Sequence, residues 1–519
     1  MSLYRNFLSV GGLTLVSRIF GFIRDALMAA VLGISPVSDA FNAAFRFPNL
    51  FRRLFAEGAF NTAFVPMFAT ALETEGDDGA KELASRIMSW LVAAILVVTI
   101  LVEIFTPQIM VLFVPGFVSD PEKFDLTVFL TRIMFPYLAC MSLMAAYAAI
   151  LNSVGRFFAA AFAPIVLNLV NISALIPLAI LVLDAPDTAF WVAVATMLGG
   201  IAQLALVYWA IRRAGFLPRL RLPRFDPEVR RFWVLAVPAI IAGGITQINI
   251  FVGTIIASGA SEVMSIIYNA DRLYQLPLGI IGIAIGTVLL PELSRHIGAG
   301  REAEARQSQS QSLFLSMVLS MPAACALIAL ALPVVRVLFE RGAFGPGDSV
   351  NVSQALIAFA VGIPAFVLIR VLQPGFFSRK DTKTPTWFAA ISLVINIALS
   401  LALFGTLKHV GIALATSIAA WANVILLAVF LARRGHFTLA PAEWKQQATI
   451  ALLTAVMGGA LYGAVLLLGP VFDPGYFFPA QALALAALCV LGAGLYFALL
   501  HITGVQSLAA LVRRFRRRG

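Results

Sequence analysis

Charge is scarce in this sequence. Only 12% of its 519 residues are Asp, Glu, Lys or Arg, against about a quarter in an ordinary soluble domain. With 61% hydrophobic residues, that deficit excludes a water-soluble globular protein. No polar stretch is long enough to build a soluble domain beside the apolar ones. Cysteine is scarcer still. Cys140, Cys325 and Cys489 stand far apart inside apolar runs, which excludes a disulfide framework and reads as buried free thiols. His296, His409, His436 and His501 fall near the ends of apolar segments, and no His/Cys group has metal-site spacing. The alternating ten-residue pattern of an outer-membrane barrel is also missing.

What is present is a series of apolar runs long enough to cross a bilayer as helices. They cover residues 7–32, 37–70, 84–113, 126–151, 160–183, 188–212, 230–258, 263–294, 307–339, 350–377, 385–406, 409–433, 445–469 and 479–511. These predict fourteen transmembrane helices, spans 1 to 14, separated by polar, Gly- or Pro-containing turns. The run from Phe7 to Leu32 is too long for the core of a signal peptide. Arg18, Arg24 and Asp25 also interrupt it, so a retained first helix is expected.

The cations set the orientation. With the N-terminus inside, one loop holds Arg212, Arg213, Arg219, Arg221, Arg224, Arg230 and Arg231, and the inner tail holds Arg513, Arg514, Arg516, Arg517 and Arg518. The outer loops hold only Lys123, Arg336, Arg341 and Lys408. Both termini are therefore predicted to be cytoplasmic. Inner-leaflet anchoring accounts for the net charge of +11 without nucleic acid.

A weak internal repeat is visible. Val65-Pro66 and Leu290-Pro291 are related by the same offset as Asn171-Ile172 and Asn396-Ile397. The repeat predicts an all-α polytopic protein with two pseudo-symmetric, parallel six-helix lobes and two extra C-terminal helices. The divisions are 1–225 (spans 1–6), 226–440 (spans 7–12) and 441–519 (spans 13 and 14 with the basic tail). Parallel repeats with a site between them are a transporter arrangement.

The in-span cations are Arg18, Arg24, Arg46, Arg52, Arg53, Arg132, Arg272 and Arg370. Each costs about 2.5–3.5 kcal/mol at the bilayer centre, so each needs compensation. Arg132 and Arg370 are explained as well by snorkelling as by a site. Span 1 places Arg18 and Asp25 on one helix face, with Ser17 beside them, and leaves Arg24 with an adjacent acid that does not face it. In span 2, Asn42, Arg46, Asn49, Arg53 and Glu57 form one polar stripe, which Asp39 continues. Arg53 can pair with Glu57, whereas Arg52 has no local carboxylate. Pro48 is expected to loosen the helix in mid-stripe. Span 8 repeats the theme with Asp271-Arg272 ahead of Pro277. One reading is a set of interlobe salt bridges with Asp25, Asp39, Glu57 and Asp271 as the anions. The other is a phosphate site, because Arg outnumbers acid here and its planar fork binds phosphate bidentately.

Three stretches, SRIFGFIRDALMAAVLG (17–33), SDAFNAAFRFPNLFRRLFAEGAFNTAFVP (38–66) and NADRLYQLPLGIIGIAIGTVLLPELS (269–294), closely resemble the MurJ (MviN) family. Those proteins are lipid II flippases of the multidrug/oligosaccharidyl-lipid/polysaccharide exporter superfamily. The resemblance runs over the whole chain and is most specific in its N-terminal block. It implies a monomer in the bacterial inner membrane. Lipid II would be moved by alternating access, with its pyrophosphate held in a central cationic cavity. By position, the cavity residues would be Ser17, Arg18, Arg24, Asp25, Asp39, Asn49, Arg52, Arg53, Glu57, Ser265 and Arg272. Arg24, Arg52 and Arg272 would hold the pyrophosphate, and spans 13 and 14 would form a groove for the polyprenyl tail. Gln275 stands where the family often has an acid, which makes the cavity more positive. Some relatives hold sodium between spans 7, 11 and 12. Asn396, Ser400 and Thr416 would give this chain a weak site of neutral oxygens. The membrane potential is the alternative drive, and no other cofactor is implied.

Two other functions compete. An exporter of another lipid-linked oligosaccharide or small molecule could share the fold, although a cationic-drug exporter calls for an acidic cavity. A membrane enzyme acting on the same lipid would need carboxylates holding Mg²⁺. The only acidic cluster, Glu73, Glu75, Asp77 and Asp78, reads as a solvated loop.

Overall fold

The computed structural model describes residues 3–53, 60–181 and 183–504. Among these there are helices and no strand. The first helices are α1 (Leu3–Leu32), α2 (Pro36–Arg52), α3 (Asn61–Thr74), α4 (Gly76–Phe113), α5 (Pro121–Met134) and α6 (Tyr137–Ser153). Next come α7 (Phe158–Ile180), α8 (Ala185–Ala214), α9 (Pro227–Ser258), α10 (Val263–Gly298), α11 (Glu302–Ala329) and α12 (Ala331–Phe339). The last are α13 (Pro346–Ala360), α14 (Ile363–Phe377), α15 (Lys383–Arg433), α16 (Pro441–Leu467) and α17 (Phe478–Ile502). Helix occupies every one of the fourteen predicted segments. Nine described helical stretches are long and apolar enough to cross a membrane. The chain is an all-α polytopic membrane protein.

Local chemistry starts the helices. α2, α5 and α9 share one device, an oxygen-bearing cap followed by proline. Ser35, Asp120 and Asp226 accept from the backbone N–H groups of Ser38 (3.1 Å), Lys123 (3.2 Å) and Val229 (2.9 Å). The prolines that follow lack the N–H that a first turn would leave unsatisfied.

Three predicted spans are broken in two. Span 4 becomes α5 and α6, parted at Phe135-Pro136, span 9 parts at Leu330, and span 10 parts at Val361-Gly362. Proline supplies no hydrogen bond to the turn before it, which explains the first break. α2, in contrast, runs on through Pro48.

Spans 11 and 12 are joined rather than separated by a loop. α15 has a non-helical point at Lys408 (φ 45°, ψ −119°). Ser392 Oγ donates to the Ala419 carbonyl at 2.7 Å, Thr416 Oγ1 to Asn396 Oδ1 at 3.4 Å, and Gly411 abuts the Leu403 carbonyl. Partners converge toward Lys408 from both sides, so α15 is an antiparallel hairpin with its turn there.

The chain forms two compact units. The first holds Met1–Ser265 and Arg341–Phe344, and the second holds Ile266–Glu340 and Gly345–Gly519. In the first, α7 packs against α1 and α8. A ladder of Phe60, Phe64 and Phe68, with ring centroids 4.6 and 5.5 Å apart, fills the space beside α4, α6 and α9. α2 is buried on both sides. Ala40, Phe41 and Ala44 join one core cluster, and Ala43 and Phe47 join another. The segment Arg341–Phe344 rests on the end of α1, with the Ala343 N–H donating to the Ala30 carbonyl at 2.8 Å. Gly33 permits this approach, since it has φ +60° and a Cβ there would stand 2.4 Å from the Ala343 carbonyl oxygen.

In the second unit, α11 packs on α14 and α16, and α17 packs on α16 and α12. A Cβ at Gly458 of α16 would fall 2.2 Å from Cys325 Sγ of α11, so the two helices meet where a side chain is missing. Arg336 of α12 donates to the Phe472 carbonyl at 2.5 Å, which fixes the turn between spans 13 and 14.

The predicted repeat has a counterpart in each unit. Asn171 Oδ1 accepts from Thr196 Oγ1 at 3.0 Å, and Asn396 Oδ1 accepts from Thr416 Oγ1 at 3.4 Å. In both units a buried Asn on the fifth span of a lobe meets a Thr on the sixth.

Candidate functional site

In α1, Arg24 is not isolated from Asp25. Its Nη2 and Nε lie 2.8 and 3.2 Å from Asp25 Oδ1. This corrects the expectation that the adjacent acid does not face it. Successive helix positions diverge by about 100°, but an arginine stem is long enough to fold back across that angle. Arg24 Nη1 also donates to Asn168 Oδ1 of α7 at 3.1 Å, and Asn168 Nδ2 donates to the Ser17 carbonyl at 3.1 Å. Asn168 therefore fixes Arg24 against α1 and draws Ser17 into the same network. Asp25 is buried. Arg18 is exposed.

In α2 the polar stripe is divided among several partners. Asn42 Nδ2 donates to Ser265 Oγ at 3.2 Å, and Arg46 Nη1 to Thr254 Oγ1 of α9 at 3.2 Å. Asn49 donates to the Phe45 carbonyl of its own helix at 2.9 Å and accepts from Arg52 Nε at 3.1 Å. Arg53, at the end of α2, is exposed. Glu57 lies outside the described residues, so its expected pairing with Arg53 does too. Arg24 lies on α1 and Arg52 at the end of α2, both in the first unit.

Asp39 has a different place. It is fully buried and accepts four hydrogen bonds. Lys123 Nζ and the Glu262 N–H each approach Oδ2 to 2.7 Å. The Ser265 N–H and Oγ approach Oδ1 to 2.9 and 2.7 Å. The carboxylate neutralises Lys123 and caps the chain at 262–265. Asp39 and Ser265 are both buried and bonded to each other. Lys123, read above as an outer-loop charge, sits in the first turn of α5 with its side chain 4% exposed.

α1 and α2 together carry Arg5, Arg18, Arg24, Arg46 and Arg52 against Asp25 and Asp39.

In the second unit, Arg272 Nη2 donates to the Tyr268 hydroxyl at 2.9 Å, and its guanidinium lies 4.7 Å from the Tyr268 ring centroid. Gln275, where an acid was expected by resemblance, donates to Asp271 one turn back. Tyr274 stacks on Phe359 and Phe366, with centroids 4.7 and 5.8 Å away. Arg370 lies against α10 at Gly282. In the first unit, Arg132 is exposed and acts electrostatically on Glu103.

Asn396, Ser400 and Thr416 do come together, with both hydroxyls 3.4 Å from Asn396 Oδ1. Thr416 Oγ1 also contacts the Ile412 carbonyl at 2.9 Å. The three neutral groups satisfy one another and include no carboxylate, so they do not fit a complete cage for a hard cation. Among the described residues no group of three His, Cys, Asp or Glu could hold a metal. The acidic stretch at Glu73, Glu75, Asp77 and Asp78 is exposed at the α3–α4 junction. An apolar cleft, lined in part by Leu91, Ile95, Phe232, Trp233 and Ala236, includes no arginine.

Sequence reasoning missed Asn168, Lys123 and Thr254. Asn168 left a signal, since it stands one turn before Asn171 in an otherwise apolar run.

The family model for lipid II flippase MurJ matches residues 28–483. The chain belongs to this family. It is 46% identical to the probable lipid II flippase MurJ of Rhizobium tropici, over all of this chain and 97% of that one. It is 33% identical to the lipid II flippase MurJ of Burkholderia cenocepacia, over 98% of each chain. A solved structure of a lipid II flippase MurJ in an inward closed conformation is similar, with TM-score 0.76, 26% identity and coverage of 94% of this chain and 98% of that one. A solved structure of a multidrug resistance MATE family transporter of the MOP superfamily, inward-facing, has TM-score 0.67 at 16% identity over 82% of this chain and 97% of that one, a likeness of fold alone. The protein is a multi-pass bacterial membrane protein.

Proposed function

We propose that this chain is a transporter that flips lipid II from the inner to the outer leaflet of the bacterial inner membrane. It works as a monomer by alternating access, with both termini in the cytoplasm. The observation that carries the reading is the set of arginines on α1 and α2, with Arg24 held by Asp25 and Asn168 and Arg52 by Asn49, in a chain of this family. Arg24, Arg52 and Arg272 hold the pyrophosphate. Ser17, Asn49 and Asp25 shape their surroundings, Arg18 and Arg53 tune the field, and Glu57 is assigned here by resemblance. In this reading Asp39 and Ser265 brace the site rather than touch substrate. Spans 13 and 14 carry the polyprenyl tail. By the repeat, the chain divides at 1–225, 226–440 and 441–519.

A bound diphosphate favours whichever conformation brings more guanidinium to it, and its differential affinity is what shifts the equilibrium. The inside-negative membrane potential acts on the unloaded cationic site at about 2.3 kcal/mol per charge per 100 mV.

The test is whether cells relying on this chain alone expose lipid II at the outer face. Loss of exposure on depletion is expected, and unchanged exposure contradicts the reading. Orientation is checked by cysteines at 183–187, expected to label from outside, and at 215–225, expected not to.

A further inference from the structure

The segment joining α8 to α9 is a strap laid along the start of α4. The Arg219 and Arg221 N–H groups donate to Ser85 Oγ and Ser89 Oγ at 2.9 and 3.0 Å. Trp90 Nε1 donates to the Arg224 carbonyl at 2.9 Å, and the Phe225 ring meets Trp90 edge-on. The backbone is thus anchored while the side chains are turned outward. Leu222 is 88% exposed and Phe225 66%.

The local acids are already engaged. Arg86 contacts Glu82, Asp226 and Glu228 at 3.1–3.3 Å, and Arg221 contacts Glu82 at 3.0 Å. Among the described residues Arg212, Arg213, Arg219, Arg224, Arg230 and Arg231 make no ion pair. Trp209, stacked under Arg213 at 4.7 Å, and Trp233 lie near the same helix ends, as interfacial aromatics do. The apolar cleft described above is lined by Leu91, the residue after Trp90, and by Phe232 and Trp233, which follow Arg231.

A segment that links two spans has to lie at the membrane surface. Exposed Leu and Phe interleaved with uncompensated Arg are unfavourable in water and favourable against anionic lipid. We propose that this strap, residues 219–225 with Arg230 and Arg231, is a binding site for anionic phospholipid. The phosphates sit among the arginines, and the acyl chains cover Leu222 and Phe225. The proposal needs only the membrane location, not the lipid II reading.

The test uses the full chain in nanodiscs. A fluorophore is attached at Leu222→Cys in a background with the three native cysteines replaced by Ala. Quenching by brominated phosphatidylglycerol is compared with quenching by brominated phosphatidylcholine. The expected result is preferential quenching by phosphatidylglycerol that weakens about fivefold for each of Arg219→Gln and Arg224→Gln and falls with added salt. Equal quenching by the two lipids overturns the proposal. Absence of quenching by either also overturns it, since the strap then faces water and is open to a soluble acidic partner. If the cysteine-free background does not fold, native tryptophan quenching in Arg219→Gln/Arg224→Gln and unaltered protein puts the same question. An unchanged lipid preference there overturns the proposal.

Discussion

Lys123 Nζ lies 2.7 Å from Asp39 Oδ2, and neither side chain has more than 4% of its surface exposed. Asp39 also caps the chain at 262–265, so it carries more than the pair. Breaking one partner of such a buried pair is expected to destabilise by roughly 3–5 kcal/mol. Asp39→Asn should therefore lower abundance and the melting temperature in detergent. Lys123→Met in the same chain should recover part of the loss, because the orphaned ammonium is then gone. If Asp39→Asn alone melts normally, the carboxylate is not structural.

The attachment of span 13 depends on a missing side chain. Gly458→Ala places a carbon within 2.2 Å of Cys325 Sγ, an overlap expected to cost about 1–3 kcal/mol. Shortening the partner with Cys325→Ala should restore stability. Melting temperatures of the two single variants and the double variant give the coupling. Strict additivity would mean that the helices do not meet there.

The pH dependence of one surface pair follows from its geometry. Arg434 Nη1 lies 2.6 Å from Asp381 Oδ2, and with the N–H and hydroxyl of Thr384 it lowers the Asp381 carboxyl to about 2. A depressed carboxyl stabilises fully above its unfolded value, about 4, and loses that contribution as pH falls through 2. The pair is partly exposed, so the effect at neutral pH should stay under about 1 kcal/mol. The melting difference between Asp381→Asn and the unaltered protein should be flat from pH 5 to 8 and shrink below 4. A difference that grows on acidification contradicts the pairing.

Span number, helix class and the Asn171/Asn396 match were legible because long apolar runs and fixed offsets survive in one dimension. The arginines of spans 1 and 2 were legible because charge in such runs is conspicuous. The pairing of Arg24 was not, because helix-face arithmetic places Cβ atoms and says little about where a long stem ends. Lys123 was missed because a cation near a proline reads as loop, although Asp120-Pro121 starts a helix around it. Asn168 carried no charge to draw attention. The turn at Lys408 was legible because it falls in the break between the apolar runs 385–406 and 409–433.

The central claim is that Arg24, Arg52 and Arg272 hold the substrate's pyrophosphate. The direct measurement is lipid II at the outer face in cells carrying Arg24→Ala, Arg52→Ala or Arg272→Ala, with protein abundance measured alongside. Losing charged hydrogen bonds worth about 1.5–3 kcal/mol predicts a fall of roughly 10–100-fold in transport at normal abundance. Lys at these positions should rescue poorly, because a point charge does not reproduce the fork. If all three Ala variants transport normally at normal abundance, these arginines are structural and the anion-site account is wrong.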